Sequence, residues 1–207
     1  MRAHTRFESR SPDSSLPRWV TNHLAMILVG IFWFGCAEPK LEEYGTVAPF
    51  TLVKHTGETF DSAEMKGDVW VVSFFFTRCR TICPPLLNHL STVLDSAKDK
   101  GISLRVASIS VDPEYDTPER LTAKHEEIQA SENWSFLTGT KDQVRTVVVE
   151  GFKTHMGEQE IMEDGLIEIG HGAKLMLIDR EGVIRGLFGT EAKDADALVD
   201  LAKRLQN

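Results

Sequence analysis

Val69 to Lys98 reads VWVVSFFFTRCRTICPPLLNHLSTVLDSAK, and three successive patterns in this stretch decide the fold. Val69 to Phe76 is a continuous β-branched and aromatic run, the pattern of a strand buried on both faces of a sheet. From Pro84 the period changes: Leu87, Leu90, Leu94 and Ala97 recur at helical spacing, with Leu86 and Val93 widening the stripe. Pro84 to Lys98 is therefore predicted to be an amphipathic helix, with proline at the first position, where a missing N–H costs nothing. Between the two elements, Phe75 to Leu86 holds Cys79 and Cys83. In a helical or near-helical turn that spacing brings both sulfurs to one face. Cys83 also lies beside the helix N-terminus, whose partial positive charge lowers a thiol pKa. A strand-to-helix loop at the carboxyl end of a sheet is where α/β proteins place their sites. Buried core cysteines or a static disulfide are the alternative reading of the pair.

Working outward, Ala48 to Val53 and Thr59-Phe60 flank a His-Thr-Gly turn and outline an N-terminal hairpin. Ile102 to Val111 is the next strand, and Thr117-Pro118-Glu119 opens a helix to about Ala130. Trp134 to Leu137 is a short strand, and Thr140 with Gln143 forms a capping box for a helix to about Phe152. Residues 153–170 fit no element and are expected to form a loop. Ala173 to Asp179, the turn Arg180-Glu181-Gly182 and Val183 to Phe188 make a hairpin, followed by a helix from about Lys193 to Leu205. Strands alternating with helices predict an α/β fold: a thioredoxin-like sandwich, its central mixed sheet flanked by helices, with the N-terminal β-hairpin as an extension.

Residues 1–23 carry Arg2, Arg6, Arg10 and Arg18 and precede the apolar run Leu24 to Gly35, which ends at Cys36. A basic segment followed by about twelve apolar residues is a signal pattern, too short for the roughly 20 residues of a spanning helix. Small Gly35 before Cys36 suits lipoprotein processing, in which the Cys36 thiol is acylated and becomes the new N-terminus. An uncleaved anchor and plain secretion are the alternatives, and all three export the domain. The expected organisation is a signal peptide or anchor over 1–35, a polar tether over 36–46 and one folded domain over 47–207. The whole chain has 23 Lys+Arg against 31 Asp+Glu. The leader holds four Arg, Glu8 and Asp13, so the remainder carries 19 basic and 29 acidic residues, a net charge of −10. That balance disfavours nucleic acid as a partner. Three cysteines are too few for a disulfide scaffold. With Cys36 lipidated, Cys79 and Cys83 remain, free to pair, cycle or bind metal in an oxidising compartment.

Two soft thiolates suit Cu(I), and an imidazole completes a three-coordinate site that also tolerates Cu(II). Of the histidines outside the leader, His55 falls in the hairpin turn, His89 and His125 on helices, and solvated or edge roles suffice for them. His155, Met156 and Met162 share the 153–170 segment, where a soft accessory site competes with methionine's ordinary use as filler. His171 stands between Gly170 and Gly172, directly before the Ala173 strand. In a thioredoxin-type sheet that strand neighbours the one leading into the cysteine loop, so His171 is a ligand candidate, with a plain loop histidine as the alternative.

With these residues in place, the chain resembles the SCO/SenC family of copper-delivery proteins. The resemblance is carried by Phe74 to Pro84 (FFFTRCRTICP), Val111 to Leu121 (VDPEYDTPERL), Phe136 to Thr140 (FLTGT) and His171 to Gly182 (HGAKLMLIDREG), in family order. It implies a thioredoxin-like fold, a membrane tether on the periplasmic side, and a copper site at Cys79, Cys83 and His171. It also implies delivery of copper to the dinuclear centre of cytochrome c oxidase or to another cuproprotein, or reduction of that centre's cysteines. Arg80 stands where the family commonly has Pro, and a cation there lowers nearby thiol pKa values. Gly170 stands where the family often has Asp, which removes a usual orienting partner of the histidine. Asp112 and Asp116 match the second motif, with Asp112 near the site by strand order. The competing function is an extracytoplasmic thiol-disulfide oxidoreductase using Cys79 and Cys83 alone. A structural zinc site lacks a fourth ligand.

Overall fold

The computed structural model describes residues 41–206, so Cys36 and the leader lie outside the described residues. Its elements, in chain order, are β1 (Thr51–Lys54), β2 (Thr59–Asp61), a 3-10 turn (Ser62–Met65), β3 (Trp70–Phe75), α1 (Cys83–Asp99), β4 (Arg105–Ser110) and α2 (Pro118–Glu127). There follow β5 (Trp134–Thr138), α3 (Lys141–Arg145) with a π-helical turn (Thr146–Gly151), β6 (Met156–Ile161), β7 (Ile167–His171), β8 (Leu175–Ile178), β9 (Ile184–Phe188) and α4 (Ala192–Gln206).

Seven strands form one mixed sheet in the order β2-β1-β5-β4-β3-β8-β9. β3, β4 and β5 run parallel, and both flanks are antiparallel. Every residue of β3 is buried, as its unbroken apolar run requires. Alternate residues serve opposite faces: Trp70 and Phe74 meet Phe152, while Phe75 meets Phe136 at 4.9 Å between ring centroids. α1 buries Leu86, Leu87, Leu90, Val93 and Ala97 of the predicted stripe, with Leu94 partly buried against the core, and packs against α4; α2 packs against β5. This is the thioredoxin-like arrangement, with the β1–β2 hairpin as its extension.

Three expectations need correction. Residues 153–170 are not a loop: β6 and β7 pair antiparallel as a separate two-stranded hairpin. Its signal was the Asp164-Gly165 turn, with Gly165 at φ +80°, a conformation glycine adopts freely. Polar residues on both faces hid the alternation, since only Met156 and Ile169 are buried there. In consequence His171 ends β7 opposite Met156, rather than heading the next strand, and β8 begins only at Leu175. The helix after Thr140 keeps α geometry only to Arg145 and then widens into the π-helical turn. Four consecutive β-branched residues, Thr146 to Val149, crowd an α-helical turn. The chain is also pinned earlier than Val47, because Tyr44 N donates to Ile184 O (2.9 Å) and Thr46 bridges to Val183.

A buried hydroxyl pair ties the central strands together. Ser73 and Ser108, opposite each other on β3 and β4, lie 2.6 Å apart between oxygens, and Trp134 Nε1 donates to Ser108 Oγ at 2.7 Å. Replacing Ser108 with Ala strands the Trp134 N–H in the core, and chemical denaturation is expected to show a loss of about 1–3 kcal/mol.

Candidate functional site

β3 delivers the chain to the carboxyl edge of the sheet, and the segment between Phe75 and Cys83 crosses there to α1. Ile82, at the N-cap position, has no side chain able to cap, and Pro84 and Pro85 follow in the first turn. The backbone N–H groups of Cys83 and Thr81 lie near enough to the Cys79 sulfur to favour its thiolate form. That sulfur also lies 3.7 Å from Thr81 Oγ1. Both cysteines are buried and unbridged, Cys83 the more deeply.

The two thiols are electrostatically unequal. A hydrogen bond from the Cys83 thiol, followed by those backbone N–H groups, holds the Cys79 thiol down at about 4 against the opposing effect of burial. The same bond, with burial added, pushes Cys83 up from the ordinary thiol range. The electrostatics thus favour the thiolate at Cys79 and the protonated thiol at Cys83. Arg80, exposed on the rim, is not what lowers Cys79; the hydrogen bond from Cys83 is.

The loop is held from beneath by the second motif. Asp116, fully buried, accepts from Thr77 N (3.0 Å), from Thr77 Oγ1 and from Ser110 Oγ (2.5 Å). Asp112 pairs with Arg78 at 2.6 Å; burial pushes its carboxyl up, and Arg78 opposes the shift. Arg78 then reaches Gln159 Oε1 on β6 at 2.8 Å, tying the cysteine loop to the β6–β7 hairpin. Asp112 is thus occupied by Arg78 and acts in positioning the loop. Gln159 carried no sequence signal, because its partner is 81 residues away.

His171, half-buried at the end of β7, lines a cavity of about 620 Å³ together with Phe76, Cys79 and Ile82. Its Nδ1 lies 3.0 Å from Gly172 O. A carbonyl only accepts, so Nδ1 carries the proton and Nε2 keeps its lone pair. Burial first of all lowers the His171 pKa, which favours this neutral form. Nε2 is buried and has no hydrogen-bond partner. The Gly172 carbonyl thereby orients the ring in place of the acid absent at Gly170, which packs under the His155 imidazole, 3.4 Å from where a Cβ would stand. An unpartnered imidazole nitrogen on the cavity that Cys79 lines, and a thiolate with a thiol beside it, fit a soft metal ion.

The structure brings the sulfurs together and sets His171 on the same cavity, but among the described residues no three His, Cys, Asp or Glu side chains already form a metal cluster. Among the described residues, the other histidines stand apart from it. His55 and His125 stack at 4.3 Å, with His55 Nδ1 accepting from Phe136 N and His125 Nε2 donating to Trp134 O. His89 is buried in α1, and His155 is exposed.

A family model described as SCO1/SenC matches residues 38–206. Among solved structures, the chain is similar to a SCO1/SenC family lipoprotein from Bacillus anthracis str. Ames, with 27% identity and TM-score 0.70 over 78% of this chain and 95% of that one. It is similar to BsSco, a member of the Sco family of cytochrome c oxidase assembly proteins in which a disulfide switch was identified: 28% identity, TM-score 0.69, 82% and 97% covered. It is similar also to Arabidopsis thaliana ScoI with copper bound: 25% identity, TM-score 0.69, 78% and 99% covered.

The unequal thiols set a pH signature. With its folded value held down at about 4, Cys79 favours the thiolate well into acid, and its contribution to stability, full above the ordinary thiol range, is lost progressively as pH falls from there to about 4. Alkylation of Cys79 by iodoacetamide, followed by peptide mass spectrometry, is expected to keep nearly the same rate from pH ~8 to pH ~6, where an ordinary thiol slows about a hundredfold. Cys83 is expected to stay unmodified.

Proposed function

Because the chain belongs to the SCO1/SenC family, we propose that it is an exported copper metallochaperone. It holds copper as cargo through Cys79, Cys83 and His171 and delivers it to the dinuclear copper centre of cytochrome c oxidase or another cuproprotein. The buried, unpartnered Nε2 of His171 on the wall it shares with Cys79 is the observation that carries this reading. A buried polar atom left without a partner is costly, and an incoming cation is a partner this nitrogen can accept. The copper held by the Arabidopsis relative and the oxidase-assembly role of the Sco family named for BsSco support the same reading.

The residues imply an order of engagement. Cys79, already ionised, binds first. Neutralising its charge removes the largest influence holding the proton on Cys83, which then ionises and releases that proton to solvent. Neutral His171 completes the set with its free Nε2 lone pair. Two thiolates and one imidazole are a soft set suited to Cu(I).

The inequality of the thiols also favours a second reading, thiol-disulfide exchange. Cys79 thiolate attacks one sulfur of a client disulfide and expels the other as a thiolate. Cys83, losing its proton, then displaces the client from the mixed disulfide. The client gains two electrons, and the Cys79–Cys83 pair is left as a disulfide. This chemistry does not use His171.

Cu(I) competition between the reduced protein and a strong chelator separates the readings. His171→Ala is expected to weaken retention by about tenfold or more, roughly 1.4 kcal/mol, with both cysteine variants as controls. Parent protein that cannot compete, or a His171→Ala variant that binds as the parent does, overturns the copper assignment and leaves the redox pair. For the tether, we propose acylation of the Cys36 thiol followed by removal of residues 1–35, placing the domain on the extracytoplasmic side of a membrane. Cys36→Ser is expected to leave the signal uncleaved and raise the apparent mass on a gel; an unchanged mass and an unchanged membrane fraction overturn lipidation.

A further inference from the structure

Among the described residues there are four methionines, and three of them behave as ordinary core filler: Met65, Met156 and Met176 are 2%, 5% and 6% exposed. Met162 is 43% exposed and packs into no core. It sits at the tip of the β6–β7 hairpin and lines the same cavity as Cys79 and His171. Its backbone is fixed at both ends, Met162 N donating to Leu166 O and Gly165 N donating to Met162 O, each at 2.8 Å. The thioether is thus held on an ordered turn at the mouth of the site, at the solvent's edge. Glu163, Asp164 and Glu168 line the cavity with it against one cation, Arg80, so the lining carries a net negative charge.

We propose that Met162 is a transient Cu(I) ligand, the point at which the ion is first captured before it passes to the thiols. This rests on the copper reading of the Cys79, Cys83 and His171 site. The chemistry follows from ligand class. A thioether is a soft, neutral donor, able to displace a ligand of an arriving Cu(I) complex but weaker than a thiolate. Carboxylates around it raise the local concentration of cations without competing strongly for a soft ion. Transfer is ligand exchange with no change of oxidation state. A donor chelate gives up the ion to Met162 Sδ; Cys79 thiolate then takes it, Met162 is released unchanged, and the Cys83 proton leaves to solvent. A transient ligand of this kind governs the rate of uptake and leaves the final affinity alone.

The test is Met162→Leu in the reduced protein, which keeps volume and apolarity and removes the sulfur. Uptake is followed by stopped flow as loss of colour from the Cu(I)–bicinchoninate complex, and retention by equilibrium competition in the same samples. The expected result is uptake slowed by about tenfold with retention and melting temperature equal to the parent's. An unchanged rate in Met162→Leu, with the parent loading copper normally, overturns the role of Met162 and leaves the copper reading standing. A fall in equilibrium retention matching the fall in rate overturns the transient role, since Met162 is then a resident ligand. A parent that strips no copper from the chelate overturns both.

Discussion

A single carboxylate with no solvent contact, Asp116, gathers the two chain segments that make the site. It accepts from Thr77 on the cysteine loop and from Ser110 at the end of β4. A buried acid is tolerated only when its lone pairs are filled, and here three donors fill them. Because β3 and β4 are parallel and adjacent, their carboxyl ends emerge side by side, and one acid placed just past β4 can fasten the loop that follows β3. The position of both sulfurs depends on that fastening.

Arg78 extends the same framework outward. It pairs with Asp112, stacks on Tyr115 at 4.1 Å and donates to Gln159 on the β6–β7 hairpin. One side chain from the cysteine loop therefore bonds to the motif after β4 and to the hairpin bearing His171 and Met162. The cavity exists because the hairpin, which belongs to no other sheet, is held beside the loop. Its polar strands would have little reason to pack there on apolar burial alone.

Within that framework the site's chemistry comes from groups left over by folding. α1 begins without a capping side chain, and the Cys83 thiol with the nearby backbone N–H groups of Cys83 and Thr81 favours a thiolate at Cys79. Such donors stabilise a thiolate and leave its neighbour protonated. His171 is fixed through one nitrogen by a backbone carbonyl and has the other free. Thiols biased toward opposite protonation states, with one bare imidazole nitrogen, suit both holding a soft cation and exchanging disulfides.

Periodicity along the chain was enough to locate β3, α1, the N-terminal hairpin and the cysteine loop between strand and helix. Those features depend on neighbours one to four residues apart: alternation for strands, the leucine stripe for α1, proline for its start. The pairing of Cys79 and Cys83 was legible for the same reason, and so was the candidacy of Asp112 and Asp116 through their motif. The hairpin over 153–170, the tautomer of His171, the Arg78–Gln159 link and the inequality of the two thiols were not. Each depends on groups far apart in sequence, or on which backbone atoms burial leaves unpaired, and no local pattern encodes either. Sequence alone determined the elements and the sulfur pair; the tertiary structure decided which nitrogen, which thiol and which methionine face the cavity, because those outcomes are set by packing between segments that meet only in the folded chain.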